Sequence, residues 1–177
     1  ADDHVYLFDK DSSIPLWSYD TGKDVNSVAI SADGWSIVAG SNNDDIMFWH
    51  RNSSTPVWEY DAGTDVISVD ITADGNFIAA IDEGHRAYVF DTDEDNWPDS
   101  KYLWRYGIGS QAVDIDISDN GQSVAIIDDD SSGELIFMDV SGHYESEDDP
   151  RKKWEYGISD MYFLSLALSA DGEYIAV

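Results

Sequence analysis

Ser-Val-Ala-Ile-Ser-Ala-Asp-Gly at 27–34 returns as Ser-Val-Asp-Ile-Thr-Ala-Asp-Gly at 68–75, Asp-Ile-Asp-Ile-Ser-Asp-Asn-Gly at 114–121 and Ser-Leu-Ala-Leu-Ser-Ala-Asp-Gly at 165–172. Gly34, Gly75, Gly121 and Gly172 therefore stand 41, 46 and 51 residues apart. A period of that size belongs to stacked or radially arranged units, none of which buries its apolar face alone. Within each copy, apolar and polar residues alternate with period two. That is the pattern of a half-buried strand, and no stretch of the chain shows helical periodicity.

Working outward, each copy expands into four strands. The first is Val25–Ile30, Val66–Ile71, Val113–Ile117 or Phe163–Leu168. A tight turn follows, in which glycine takes positive φ and Asp or Asn bonds its own backbone. The second strand is Ser36–Ala39, Phe77–Ile81, Ser123–Ile127 or Tyr174–Val177. The third is Ile46–His50, Ala87–Asp91 or Leu135–Asp139, with Asp3–Asp9 as its copy at the front of the chain. The fourth is Pro15–Tyr19, Pro56–Tyr60, Tyr102–Tyr106 or Lys152–Tyr156. Trp17, Trp58, Trp104 and Trp154 hold one position in it, each followed two residues later by a Tyr. An aromatic repeated at one register predicts packing between neighbouring sheets.

Four short antiparallel strands every 40 to 50 residues describe the blade of a β-propeller, an all-β fold. The Ser-Ala-Asp-Gly turn, with strands such as Val5-Tyr6-Leu7-Phe8-Asp9 and Ala87-Tyr88-Val89-Phe90-Asp91, resembles WD-repeat and Tyr-Val-Thr-Asn-type propellers. Pro-Leu-Trp-Ser-Tyr-Asp-Thr-Gly at 15–22 is similar to quinoprotein-type repeats. The resemblance covers essentially the whole chain. It lacks the Gly-His dipeptide and the Trp-Asp pair of the WD consensus, so that hydrogen-bond network is not transferred.

The units run approximately 1–24 (complemented by 163–177), 25–65, 66–112 and 113–162. The sequence opens on a third strand and stops after a second, and joined tail to head it would complete a fourth unit of similar length. Two arrangements follow: a closed four-bladed ring, or a section or half of a larger ring completed by a second copy or further blades. Both arrangements satisfy the unpaired strand edges, and the usual ring sizes favour the section.

Charge sets the next bound. Asp and Glu number 37 against 9 Lys and Arg, a formal net charge of −28, while 42% of residues are apolar. Nucleic-acid binding needs clustered Lys and Arg, and anionic lipid is equally disfavoured, so neither partner is expected. A solvated acidic surface fits a high-salt habitat or an extracytoplasmic, cell-surface protein of a prokaryote. The absence of cysteine removes disulfides, thiolate catalysis and Cys-ligated zinc.

Candidate cation ligands are few and weakly patterned. Asp91-Thr92-Asp93-Glu94-Asp95-Asn96 has calcium-loop alternation but lacks the sixth-place Gly and the twelfth-place Glu, where Tyr102 stands. Asp128 and Asp130 open a closer match, ending at Asp139, yet Leu135–Asp139 is a repeated strand rather than a helix, which rules out an EF-hand. Asp70, Asp114 and Asp116 sit on first strands, where other copies carry Ala29, Ala167, Ser27, Ser68 and Ser165. First strands line the channel of a propeller, as the resemblance implies. There the three carboxylates either hold a cation, calcium included, or bond backbone N–H groups of the next blade. A close pair among them predicts one raised pKa.

The remaining candidates form a rim. Loops joining fourth to first strands carry Lys23, Asp24, Asp65 and Asp160, and loops joining second to third carry Asp82, Glu83, His85 and Arg86. An acidic funnel attracts cationic ligands and basic peptides by steering, and solvated loops would have the same composition. No catalytic constellation stands out, and the four histidines show no metal spacing. The expectation is a non-enzymatic scaffold presenting a rigid acidic rim to a protein or small cationic ligand, with no required cofactor, within a surface, sensor or assembly protein. The alternatives are a cofactor- or metal-bearing enzyme of quinoprotein or hydrolase type, and a structural repeat used for assembly.

Overall fold

The computed structural model describes residues 2–93, 102–129, 133–141, 152–157 and 163–177. Asp130, Asp160, and the insert Glu145–Pro150 with Arg151 lie outside the described residues, as do Glu94–Asn96 of the first calcium-like loop. All regular structure among the described residues is antiparallel β.

Three four-stranded sheets follow one another. The first holds β3 (Val25–Ile30), β4 (Ser36–Ser41), β5 (Asp45–His50) and β6 (Trp58–Asp61). The second holds β7 (Val66–Ile71), β8 (Phe77–Asp82), β9 (Arg86–Asp91) and β10 (Trp104–Gly107). The third holds β11 (Ala112–Ile117), β12 (Ser123–Asp128), β13 (Glu134–Asp139) and β14 (Lys152–Gly157). Each is a meander in chain order. They are flanked by two two-stranded sheets, β1 (His4–Phe8) with β2 (Pro15–Asp20), and β15 (Ala167–Leu168) with β16 (Ile175–Ala176). The end pairs remain separate sheets, so the arc is not closed within this chain.

The repeated turn explains why the strands begin and end where they do. Ser31 Oγ donates to Asp33 Oδ1 at 2.7 Å and accepts from Ser36 N at 3.0 Å, while Trp35 N donates to Asp33 Oδ1 at 2.9 Å. Thr72 with Asp74, Ser118 with Asn120 and Ser169 with Asp171 repeat the arrangement. The four glycines take φ of +67°, +75°, +66° and +74°, which a Cβ disfavours. β3 and β7 have the expected bounds. The third strands start one residue early, at Asp45, Arg86 and Glu134, because ladder pairing continues through a polar residue.

Burial is greatest in the second strands. β4 and β12 are buried along their whole length, and β8 in all but its first residue, so they read as continuous small and apolar runs. The core lies between sheets rather than within one. Phe48 and Trp58 of the first four-stranded sheet pack with Val69, Ile78 and Phe90 of the second. Val89 and Trp104 of the second pack with Ile115, Ile126 and Met138 of the third. The outer-strand tryptophan thus leans on the third strand of the next sheet: Trp17 on Trp49 at 6.0 Å and Trp58 on Phe90 at 5.6 Å between ring centroids. Trp154, the last of the series, is 43% exposed.

Candidate functional site

The inner strands carry three carboxylates, and each reaches across to the following sheet. Asp70 Oδ2 accepts from Ile117 N at 2.9 Å, and Asp116 Oδ2 accepts from Leu168 N at 2.7 Å. Asp114 accepts from Ser68 Oγ at 3.0 Å through Oδ1 and from Leu166 N at 3.0 Å through Oδ2. Ser27 does the same work without charge, accepting from Val69 N at 3.1 Å and donating to Val69 O at 3.3 Å. The period-two pattern puts residues 27 and 29, and their copies, on the face turned toward the next blade. The carboxylate contacts are the bonds to backbone N–H groups of the next blade that one of the two sequence readings expects. Among the described residues, no group of three His, Asp or Glu side chains is arranged to hold a metal ion.

Asp70 is largely buried beside Asp116, and burial followed by their mutual hydrogen bond pushes its carboxyl from 3.8 up to about 8. The folded chain therefore binds this proton more tightly than the unfolded chain does. The resulting stabilisation is complete below the unfolded value and is lost as pH rises through about 8. Between pH 5 and 8, this one proton tilts unfolding free energy downward by at most ~1.4 kcal/mol per pH unit. Urea unfolding of wild type and Asp70→Asn across that range checks it. The difference between the two curves slopes with pH, and parallel curves would remove the shared proton from the account.

Asp128 and Asp82 sit at the ends of β12 and β8, both buried. Asp128 accepts from Ser110 Oγ through Oδ2 and from Glu134 N at 2.6 Å through Oδ1, so both oxygens staple loops. Asp82 accepts from Arg86 N at 3.0 Å, from Tyr88 Oη at 2.9 Å and from Arg86 Nη2 at 2.9 Å. Arg86 also donates to Ala62 O at 3.0 Å and Thr64 Oγ1 at 3.3 Å. Burial and the neighbouring carboxylate hold the Tyr88 hydroxyl well above its ordinary pKa. Asp82 and Arg86, expected on the rim, thus form an internal clamp between two loops.

The rim itself is built by one repeated bond. Asn42 N donates to Asp24 O at 2.9 Å, Glu83 N to Asp65 O at 2.9 Å and Asp129 N to Gln111 O at 3.0 Å. Each ties the loop after a second strand to the residue before a first strand, so both loop types meet at one end of the inner strands. A cleft of about 540 Å³ opens there, lined among others by Asn26, Asn42, Asp65, Glu83, Gln111 and Asp129. Asn26 Nδ2 donates to Asn42 Oδ1 and, at 2.8 Å, to Val66 O, bridging the first blade to the second. Asp44, at φ +67°, has its carboxyl raised by desolvation and then by a hydrogen bond with Asp65.

Of the expected rim residues, Asp65 and Glu83 line this cleft. Lys23 and Asp24 lie exposed on the first loop, and exposed His85 takes φ +59° in the turn after β8. Sequence reasoning missed Asn26, Asn42, Gln111 and Asp129. Their signal was position: Asn42, Glu83 and Asp129 each directly follow the last residue of a second strand.

No family model matches the chain, and no curated protein matches it in sequence. Solved structures do. A chain in the crystal structure of a mitotic checkpoint complex superposes with a TM-score of 0.71 at 17% identity, covering 91% of this chain and 49% of that one. Kuenenia stuttgartiensis hydrazine synthase superposes with a TM-score of 0.66 at 17% identity, covering 85% of this chain and 40% of that one. The chain spans about half the length of these neighbours or less. The likeness is one of fold, and with the stacked four-stranded meanders it makes this chain an open arc of β-propeller blades.

Proposed function

We propose that the chain is a non-enzymatic recognition scaffold whose acidic cleft takes a basic segment of a protein partner. The observation that carries this reading is the cleft wall, in which Asp65, Glu83 and Asp129 come from three loops held by backbone bonds, Glu83 N to Asp65 O and Asp129 N to Gln111 O. A site positioned by rigid scaffold is pre-organised, so little ordering entropy opposes binding. The net charge of −28 steers cations toward it and disfavours nucleic acid and anionic membranes. One structural neighbour comes from a multi-protein complex and the other from an enzyme, so fold alone does not choose between these classes. What favours recognition is that the inner-strand carboxylates are committed to backbone bonds and the buried Asp82 and Asp128 to loop clamps.

Titration of a Lys/Arg-rich peptide, followed calorimetrically, tests the reading. Binding weakens about tenfold or more in an Asp65→Asn/Glu83→Gln/Asp129→Asn variant, and falls with added salt as screening predicts. Equal affinity for variant and wild type would sink it. In this reading calcium is not required, so adding it raises the Tm no more than magnesium does at equal ionic strength.

A further inference from the structure

One register of the inner strands is filled in turn by Ala29, Asp70, Asp116 and Ala167, which pair with Val38, Ala79, Ala125 and Ala176 of the second strands. Each faces the next blade, so every seam sets two successive members of the series side by side. Ala29 adjoins Asp70 between the first and second blades, and Asp116 adjoins Ala167 between the third blade and β15. Among the described residues, the one seam that joins two carboxyls is that between the second and third blades. There Asp70 on β7 and Asp116 on β11 hydrogen-bond to each other.

No positive charge offsets the pair. The strands packed on β7 and β11 are β3, β4, β8, β12 and β15, and none of the seven contains Lys, Arg or His. Asp82 and Asp128, the last residues of β8 and β12, pair with Val66 and Ala112 at the far ends of the inner strands. Asp114 is the remaining acid, two residues along β11, and it accepts from Ser68 Oγ and Leu166 N. Two carboxylates that touch in a largely buried place without a cation do not both stay ionised, so one proton bridges them. With the bridge in place, Asp70 Oδ2 accepts from Ile117 N at 2.9 Å and Asp116 Oδ2 from Leu168 N at 2.7 Å. The first seam is held without a carboxyl pair: Ser27 Oγ accepts from Val69 N at 3.1 Å, and Asn26 Nδ2 donates to Val66 O at 2.8 Å.

We propose that the proton shared by Asp70 and Asp116 is a latch on the seam between the second and third blades, and that its release opens this seam before the first. Opening gives the proton up to water, so each rise of one pH unit favours the open seam up to about tenfold. The gain stops where the closed pair itself ionises. Burial and the mutual hydrogen bond raise the Asp70 carboxyl to about 8, so the effect levels off there. Apolar packing of Ile81 and Trp104 with Ile115 and Ile126 spans the same seam, so release opens it transiently and does not part the blades. The arc thus carries one pH-dependent line of weakness, set by two acids at one register of neighbouring inner strands.

Amide hydrogen exchange by NMR from about pH 5.5 to about 9, corrected for the intrinsic base-catalysed rate, reads the two seams separately. Ile117 N–H, the donor to Asp70, reports the latched seam, and Val69 N–H, the donor to Ser27, reports the first. Protection of Ile117 should fall about tenfold or more across the range and level off near pH 8. Above that pH it should lie about tenfold below the protection of Val69. Dilute urea, which speeds exchange through global unfolding, should leave the Ile117 rate unchanged. Asp70→Asn keeps a donor for Asp116 and an acceptor for Ile117 N without a titrating proton, so Ile117 protection should become flat with pH. Asp116→Asn removes the same proton from the other side and serves if the first variant folds poorly. Constant Ile117 protection in wild type would overturn the proposal. So would Val69 exchanging as readily as Ile117 above pH 8, Ile117 exchange that accelerates in dilute urea, or a pH-dependent fall that survives in the Asn variants. No arm reads peptide binding, so the outcome is independent of the acidic cleft.

Discussion

Replacing Arg86 with alanine lowers unfolding free energy by about 3 kcal/mol, since removing one partner of a buried ion pair strands the other. Asp82 is fully buried, and Arg86 Nη2 lies 2.9 Å from its Oδ2. Two donors survive the change, the Tyr88 hydroxyl and the residue-86 N–H, which is why the expected loss sits at the low end for such a deletion. The guanidinium also holds Ala62 O and Thr64 Oγ1, so the loop before β7 loosens with it. The first blade shows the way back. Its counterparts of Asp82 and Tyr88 are the neutral Ser41 and Met47, both buried without an ion pair. An Asp82→Ser/Arg86→Ala double variant should therefore recover most of the loss. Urea midpoints for the single and double variants decide it, and equal instability in both would show that packing, not stranded charge, sets the cost.

Gly121→Ala should cost about 3 kcal/mol, and Gly34→Ala only about 1 kcal/mol, although both glycines have nearly the same φ, +66° and +67°. The backbone strain is common to the two. What differs is the neighbouring blade. A Cβ on Gly121 would lie 2.7 Å from Phe77 Cδ2 and 3.1 Å from Cε2, while one on Gly34 would meet only Ile30 Cδ1 at 3.9 Å. The same crowding recurs at Gly75 against Ser36 and at Gly172 against Ser123. Thermal or urea unfolding of the two variants side by side isolates the inter-blade contribution. Equal destabilisation would mean the blades can slide apart to admit a methyl group.

These glycines mark how far the sequence reaches. It places them in tight turns, because Ala-Asp-Gly needs positive φ at its last residue. Their second role, letting the next blade approach, involves Phe77, 44 residues earlier in the chain for Gly121, and no local pattern encodes that distance. The tryptophans behave alike. Their common register predicts inter-sheet packing, and Trp58 and Trp104 are buried in it, whereas Trp154, the last of the series, stands 43% exposed.

The carboxylates divide along the same line. Asp70 and Asp116 are visible on inner strands, and the raised pKa expected of a close pair appears at Asp70. Sequence alone left open whether they hold a cation or bond the next blade, because the deciding N–H groups, on Ile117 and Leu168, lie about one repeat away. It also placed Asp82 and Arg86 on the rim by their loop position, where the tertiary fold buries Asp82 against the Tyr88 hydroxyl and the half-buried Arg86.

Strand order, turn chemistry and the face each side chain takes were determined by the sequence by itself, since these depend on neighbours two to five residues away. Which polar residues became internal stitches, and which loops met to form a cleft, only the tertiary structure decided. Those depend on how one blade is rotated onto the next, and that rotation is set by contacts some 40 to 50 residues apart.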